Sequence, residues 1–139
     1  MAKRIVKKIP VKRSRAPKTR NNGTMTESAF WSFIRSALRQ KSRWWKPISE
    51  AKAKAKRPYK GCNKRQKFEY QCNQCKDWFP DKKINVDHIC PAGSLKSAQD
   101  LPDFIERLFC EVDNLQVLCV TCHDKKTKHE KENKSNKAV

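Results

Sequence analysis

The sequence predicts a small α+β domain preceded by a basic helical extension. Apolar residues recur at helical spacing between residues 30 and 38, and short strand-like runs follow at residues 67–71 and 84–88. Two Cys-x-x-Cys pairs enclose the second of these runs. In a chain of 139 residues, of which 37% are hydrophobic, the apolar core is expected to be small, so a further stabilising element is needed.

The charge balance favours a nucleic-acid partner. The chain has 33 Lys and Arg residues against 14 Asp and Glu residues, a formal net charge of +19, and such an excess attracts polyanions. A membrane surface is the weaker alternative, because no basic helix with a wide apolar face is visible. No apolar run approaches the roughly 20 residues that a membrane span needs. We therefore expect a nucleic acid, and no membrane, as the partner.

Cysteine usage indicates a reducing, intracellular compartment. The seven cysteines are an odd number, which argues against a closed set of disulfides. The charged N-terminus, "MAKRIVKKIP", is not followed by the apolar segment of a secretory signal. In such a compartment, paired cysteines more often hold a metal ion than each other.

The N-terminal part divides into two segments. Residues 1–23 predict a disordered basic arm, because they contain many Lys and Arg residues, two prolines and no acid. This arm is a solvated tail, a flexible segment that contacts phosphates, or a nuclear-type address. Residues 24–60 are interpreted as a helical basic extension. Within it, residues 49–58 have helix propensity without an apolar face, so they form a short exposed helix or a basic linker.

One helix of the extension is well marked. Thr26 can cap its start, Glu27 lies in its first turn, and Pro47 ends it. Trp44 and Trp45 follow among basic residues, where they either pack against the protein or stack on bases. The predicted apolar stripe, which is expected to pack against the rest of the protein, consists of Phe30, Phe33, Ile34, Ala37 and Leu38.

The cysteine pairs predict a metal site. Two-residue spacers aim both sulfur atoms of a pair at one ion, and two such pairs suit a structural Zn²⁺ with four thiolate ligands. In a small core, the ion would supply much of the folding free energy. The alternative is that some are ordinary buried cysteines. Of the other three, Cys90 and Cys110 are expected to be buried, and Cys62 is a weaker candidate ligand. The predicted ligands, with 43 residues between the pairs, are Cys72, Cys75, Cys119 and Cys122.

Four separated motifs, "CNQC", "VDHICP", "DNLQVLC" and "CVTCHDKKT", occur in this order. Together they resemble the HNH endonucleases, particularly the small zinc-containing forms common in phages and prophages. The resemblance covers about residues 68–130. It implies a treble-clef, ββα-metal fold in which a β-hairpin and a helix hold one metal ion. We assign this domain to residues 61–132 and a flexible tail to residues 133–139.

The chemistry of the motifs agrees with that resemblance. Cutting a phosphodiester needs a base to activate water and a cation to neutralise developing charge. His88 suits the base, because imidazole titrates near neutral pH. The Asp87 carboxylate suits Mg²⁺; it would point away from His88 unless the strand ends there, as Pro91 and Gly93 suggest. By resemblance, Asp87 and His123 are the metal ligands, and Asn114 ties down the loop and orients the base.

The sequence departs from the family at one position. Some members have a further histidine one turn beyond the helix histidine, where this chain has Thr127. A shell of two side chains completed by water and phosphate favours Mg²⁺ or Mn²⁺ over a catalytic zinc ion. His129 is expected on the surface. Three lysines of the last helix are either placed for phosphates or solvated: Lys125, Lys126 and Lys128.

The expected function is therefore a metal-dependent HNH endonuclease that hydrolyses DNA, and the resemblance implies 5′-phosphate and 3′-hydroxyl products. Residues 1–60 contain no recognisable sequence-reading module, so we expect double-stranded DNA to be bound with weak specificity, or recruitment by another phage protein. If the gene belongs to a phage, the protein acts in the host cytoplasm. The alternative function is a non-catalytic zinc module that binds nucleic acid or assists assembly.

Overall fold

The structure is a computed structural model, and it describes residues 14–137. It confirms the mixed α+β class. Short 3₁₀ turns lie at Asp81–Lys83, Ala98–Asp100 and Val112–Asn114. The strands and helices of the described part follow in the order β1 (Lys18–Arg20), β2 (Met25–Thr26), α1 (Glu27–Ser42), α2 (Lys46–Lys54), β3 (Lys56–Pro58), β4 (Phe68–Gln71), β5 (Trp78–Phe79), β6 (Ile84–His88), α3 (Leu101–Leu108), β7 (Leu115–Cys119) and α4 (Val120–Lys137).

The centre of the molecule is the antiparallel pair of β6 and β7. Ile84 lies opposite Cys119 at one end of the pair, and His88 lies opposite Leu115 at the other. Helix α4 begins directly after Cys119 and returns along β6, because the Lys126 side chain reaches the His88 carbonyl. Residues of β6, β7 and α4 are therefore brought close together in this part of the molecule. A separate three-stranded sheet has the order β3–β4–β5.

Helix α1 begins where the sequence predicts. The Thr26 hydroxyl accepts a hydrogen bond from the Ala29 N–H, which satisfies one of the free donors at the helix start. The predicted apolar stripe is only partly correct. Phe33 is 61% exposed, whereas Trp31, which was not assigned to the stripe, is buried and donates its indole N–H to Glu27. The buried face of α1 is therefore rotated from the predicted one.

An aromatic cluster joins α1 to α3. Pro102 lies in the first turn of α3, as predicted, where its missing N–H does little harm. Phe104 and Leu108, one turn apart, are fully buried. Phe30, Ile34 and Leu38 of α1 pack around this cluster. We call the buried residues the aromatic cluster: Trp31, Ala92, Leu95, Phe104 and Leu108.

Several segments are more ordered than the sequence suggests. Residues 1–13 of the predicted arm lie outside the described residues, but Lys18–Arg20 pairs with Met25–Thr26 as a short hairpin. The segment 49–58 contains the end of α2 and strand β3. Helix α4 continues to Lys137, through most of the predicted tail. In the described part of the chain, no helix has an apolar stretch long enough to cross a membrane.

Candidate functional site: a four-cysteine cluster beside a polar groove

The four cysteines of the two pairs lie together. Their sulfur atoms are all within 4.8 Å of one another. Cys72 follows β4 and Cys119 ends β7, so each pair begins at the end of a strand. After Cys72 the chain turns sharply: the Lys76 N–H donates to the Cys72 carbonyl, and Lys76 adopts a positive φ of 63°. The predicted convergence of the cysteine pairs is confirmed, and the cluster can hold a metal ion.

The pKa values of these thiols also indicate that a cation is needed for all four to be ionised together. Burial acts to raise the pKa of Cys72, but hydrogen bonds from backbone N–H groups, beginning with that of Cys119, outweigh it and lower the pKa to about 6. The hydrogen bond with the Cys119 side chain, followed by burial, raises the pKa of Cys122 to about 12. Neighbouring sulfur atoms thus disfavour simultaneous ionisation. Four thiolates at this spacing need a positive ion, and Zn²⁺ is the usual one for four cysteines.

The three remaining cysteines do not join the cluster. Cys62 is exposed and Cys110 is half-buried. Cys90 is exposed, so the expectation that it is a buried filler is wrong. The reason is that it follows the end of β6 and lies in an irregular segment on the surface.

A polar groove of about 500 Å³ runs beside β6. Asp87, His88 and His123 all line it. Adjacent residues in a strand normally point to opposite faces, but β6 ends at His88, and Asp87 and His88 both line the groove. Asp87 Oδ1 lies 3.8 Å from His123 Nε2. We call this space the central groove.

His88 is held by the end of α3. Its Nε2 atom lies 2.9 Å from the carbonyl oxygen of Leu108. Leu108 is the last residue of α3, so its carbonyl has no partner within the helix and is free to accept. Because a carbonyl only accepts, the Nε2 atom carries the proton and Nδ1 keeps its lone pair. In the neutral tautomer that suits this contact, Nδ1 is the nitrogen that can accept a proton.

Asn114 connects the segment after His88 to the start of β7. Its side-chain Oδ1 accepts the Cys90 N–H at 2.9 Å, and its Nδ2 donates to the Cys90 carbonyl at 3.3 Å. Its backbone carbonyl accepts the Ile89 N–H at 2.9 Å. These three bonds restrain the two residues that follow His88.

Lys126 has a position that sequence reasoning missed. Its Nζ atom lies 2.7 Å from Asp87 Oδ2, 2.7 Å from Glu130 Oε1 and 2.8 Å from the His88 carbonyl. Burial acts to lower the pKa of Lys126, but hydrogen bonds with Asp87 and Glu130 outweigh it and raise the pKa. Lys125 and Lys128, by contrast, are exposed. The spacing of four residues to Glu130 was the available signal.

The second wall of the central groove comes from the helical extension. Arg39, Arg43 and Lys52 line it together with residues of β6. Lys52 forms an ion pair with Asp81 at the start of the turn before β6. Sequence reasoning left open that Trp44 and Trp45 of the extension stack on bases, but it did not single out these basic residues. The four-residue spacing of Arg39 and Arg43 was a signal that they share a helix face, but not that this face meets β6.

Comparison with known protein families, curated proteins and solved structures finds no match for this chain. The geometry of the cysteine cluster and of the central groove is therefore the basis for a function.

Proposed function

We propose that the protein is a divalent-metal-dependent endonuclease of the HNH type, in which β6, β7 and α4 form the ββα-metal unit and the cysteine cluster binds a structural Zn²⁺. One observation carries the proposal. Asp87, His88 and His123, which come from two distant parts of the chain, line the same groove. A strand end and a helix start are the elements that the HNH resemblance assigns to them. The net charge of +19 suits a DNA substrate.

Asp87 and His123 would hold the catalytic ion. Lys126 binds Oδ2 of Asp87, so Oδ1 remains towards His123 Nε2, 3.8 Å away. An ion between these atoms requires only small side-chain movements, and one carboxylate with one imidazole and waters suits Mg²⁺ or Mn²⁺. Bound there, the ion would neutralise charge on the phosphate and on the leaving 3′ oxygen.

His88 is the proposed general base. Its Nδ1 accepts a proton from a water molecule while the water oxygen forms a bond to phosphorus. The bond from phosphorus to the 3′ oxygen breaks, and the 3′ oxygen takes a proton from solvent. The Leu108 carbonyl holds the ring through Nε2–H, at 2.9 Å, so that Nδ1 keeps its direction. The products are 5′-phosphate and 3′-hydroxyl ends.

Asn114 and Lys126 are positioning residues in this mechanism. Asn114 restrains Ile89 and Cys90, the two residues after His88. Lys126 restrains both the Asp87 carboxylate and the His88 carbonyl. Neither residue needs to contact the substrate.

The alternative function is a non-catalytic zinc module that binds nucleic acid. The positive charge and the cysteine cluster suit it equally. One further observation favours it: the Asp87 carboxylate already has a cation, the Lys126 ammonium, at 2.7 Å. In a binding module this ion pair would be structural.

Nicking of supercoiled plasmid separates the two functions. Purified full-length protein is incubated with Mg²⁺ or Mn²⁺, with EDTA as the blank, beside His88→Ala and the matched control His129→Ala, which changes an exposed histidine of α4. Zinc content and DNA binding are compared first. We expect His88→Ala to lower the nicking rate roughly 10²–10⁴-fold and His129→Ala to leave it unchanged.

Two outcomes contradict the proposal. If wild type binds DNA but cuts in neither metal, the binding module is the correct function. If His88→Ala cuts as fast as wild type, His88 is not the base.

A further inference from the structure

The extension contributes two guanidinium groups that have no carboxylate partner in the described part of the chain. Arg39 and Arg43 lie one turn apart near the end of α1, and both line the central groove. Within residues 14–137, neither forms an ion pair, whereas Lys52 of the same groove is paired with Asp81. The Arg39 guanidinium group instead lies over the Phe104 ring, 5.9 Å from its centre. A guanidinium group in a groove and without a carboxylate partner is suited to a phosphate, which it binds through two parallel N–H donors.

An exposed aromatic side chain follows the second of these arginines. Trp44 follows Arg43 in the bend between α1 and α2 and is 83% exposed. Its neighbour Trp45 is fixed instead, because its indole N–H donates to the Cys110 carbonyl at 2.7 Å. Trp45 is therefore anchored to the rest of the protein, whereas the Trp44 side chain lies in solvent. An exposed indole beside a basic groove is suited to stacking on an unpaired base.

The bend is fixed relative to the proposed base. Trp45 packs edge-on against Phe109, with 5.4 Å between the ring centres. Phe109 follows Leu108, whose carbonyl holds His88. The bend and His88 thus rest on the same end of α3. A phosphate held by the bend would lie at a constrained distance from Nδ1 of His88.

We propose that the α1–α2 bend binds the DNA strand that is cut: Arg39 and Arg43 hold a phosphate of this strand, and Trp44 stacks on a neighbouring unpaired base. That the bound strand is also cleaved rests on the proposed nuclease function, whereas the binding itself does not. Its consequence is a preference for DNA with a locally unpaired segment, such as a gap, a flap or a single strand, over uninterrupted duplex.

Binding without cleavage tests the proposal directly. Fluorescent single-stranded, gapped and duplex oligonucleotides are titrated with full-length protein in EDTA, over a range of salt concentrations. The variants are Arg39→Gln, Arg43→Gln and Trp44→Ala. Matched controls are Lys41→Gln, which removes an exposed charge of α1 outside the groove, and Phe33→Ala, which removes an exposed aromatic ring of α1. All variants must carry the zinc content of wild type.

We expect each arginine variant to weaken binding to all three DNAs by roughly tenfold and to reduce the salt slope by about one. Trp44→Ala should weaken binding to single-stranded and gapped DNA by roughly tenfold, because stacking on a base is lost, and should affect duplex binding much less. The two controls should remain within about twofold of wild type, because neither side chain reaches the groove.

The failures are distinguishable. If the arginine variants bind like Lys41→Gln, the bend does not hold a phosphate, even if the wild type nicks plasmid. If Trp44→Ala weakens duplex and single-stranded binding equally, the stacking role is wrong. If the variants lose binding as expected but wild type does not cut, the nuclease function fails and the binding surface stands.

Discussion

The cysteine cluster and the aromatic cluster support the two sides of the central groove by different means. The cysteine cluster places four sulfur atoms within 4.8 Å of one another, an arrangement suited to a metal ion. The aromatic cluster contains Phe104 and Leu108, both fully buried, and excludes water by apolar packing. His123 follows Cys122 directly, whereas His88 is hydrogen-bonded to the carbonyl of Leu108.

The difference teaches that the proposed ligand and the proposed base depend on separate interactions. Loss of a cysteine should release the start of α4, which carries His123. Loss of an aromatic side chain should loosen the end of α3, which holds His88. The two clusters can therefore be broken independently, and each should fail in its own way.

The largest expected effect is that of Cys119→Ser. The substitution removes one of four ligands, and in small zinc domains metal binding supplies about 10–16 kcal/mol, as much as the whole stability of a typical domain. We expect loss of zinc and of a cooperative thermal transition, measured by metal analysis and circular dichroism. Cys62→Ser, which changes an exposed cysteine outside the cluster, is the control and should keep both. Full zinc content in Cys119→Ser would show that the cluster is not the metal site.

The second effect is that of Phe104→Ala. Truncating a fully buried phenylalanine leaves a cavity and costs about 3–5 kcal/mol. The neighbouring Ile105, 36% exposed, provides the control Ile105→Ala, which should cost about 1 kcal/mol. Chemical denaturation measures both values. Zinc content should stay at the wild-type level, because the cysteines are not touched, and a parallel loss of zinc would show that the two clusters are not independent.

The smallest expected effect is that of Glu27→Gln, in the first turn of α1. Hydrogen bonds from Arg20 and Trp31 lower the pKa of Glu27 to about 2 from its usual 4.5. A depressed folded-state pKa gives stability that is present above the unfolded value and is lost as the pH falls through 4.5 towards 2. Glu27→Gln should therefore lower the melting temperature slightly at pH 7, and its difference from wild type should shrink below about pH 5.

Thermal melts between pH 7 and pH 2 measure this difference, with Glu106→Gln as a control at an exposed acid that makes no ion pair within residues 14–137. A difference that is independent of pH would contradict the assigned role of the Glu27 carboxylate.

Much of the fold could be predicted because its signals are local. The Thr26 cap, the proline in the first turn of α3 and the spacing within each cysteine pair depend on residues a few positions apart. The same is true of the strand end at His88, which is indicated by Pro91 and Gly93 in the following segment. Short-range patterns of this kind determine where helices and strands begin and end.

The candidate site could be predicted only in part. Asp87, His88 and His123 were named from their motifs, and the structure places them in one groove. The assignment of Phe33 to the buried face was wrong, because one turn of helix offers several apolar residues and only the partner surface selects among them. Here α3 and the segment before it select Trp31.

By itself, the sequence determined where the cysteine pairs lie and much of the order of the helices and strands. It also determined which side chains are chemically suited to act as a base or as metal ligands. Only the tertiary structure decided which groups meet. The Leu108 carbonyl lies 20 residues from His88, Trp45 lies 65 residues from Cys110, and Lys126 lies 39 residues after Asp87. The physical reason is that such contacts are set by the packing of whole elements, which no local spacing encodes.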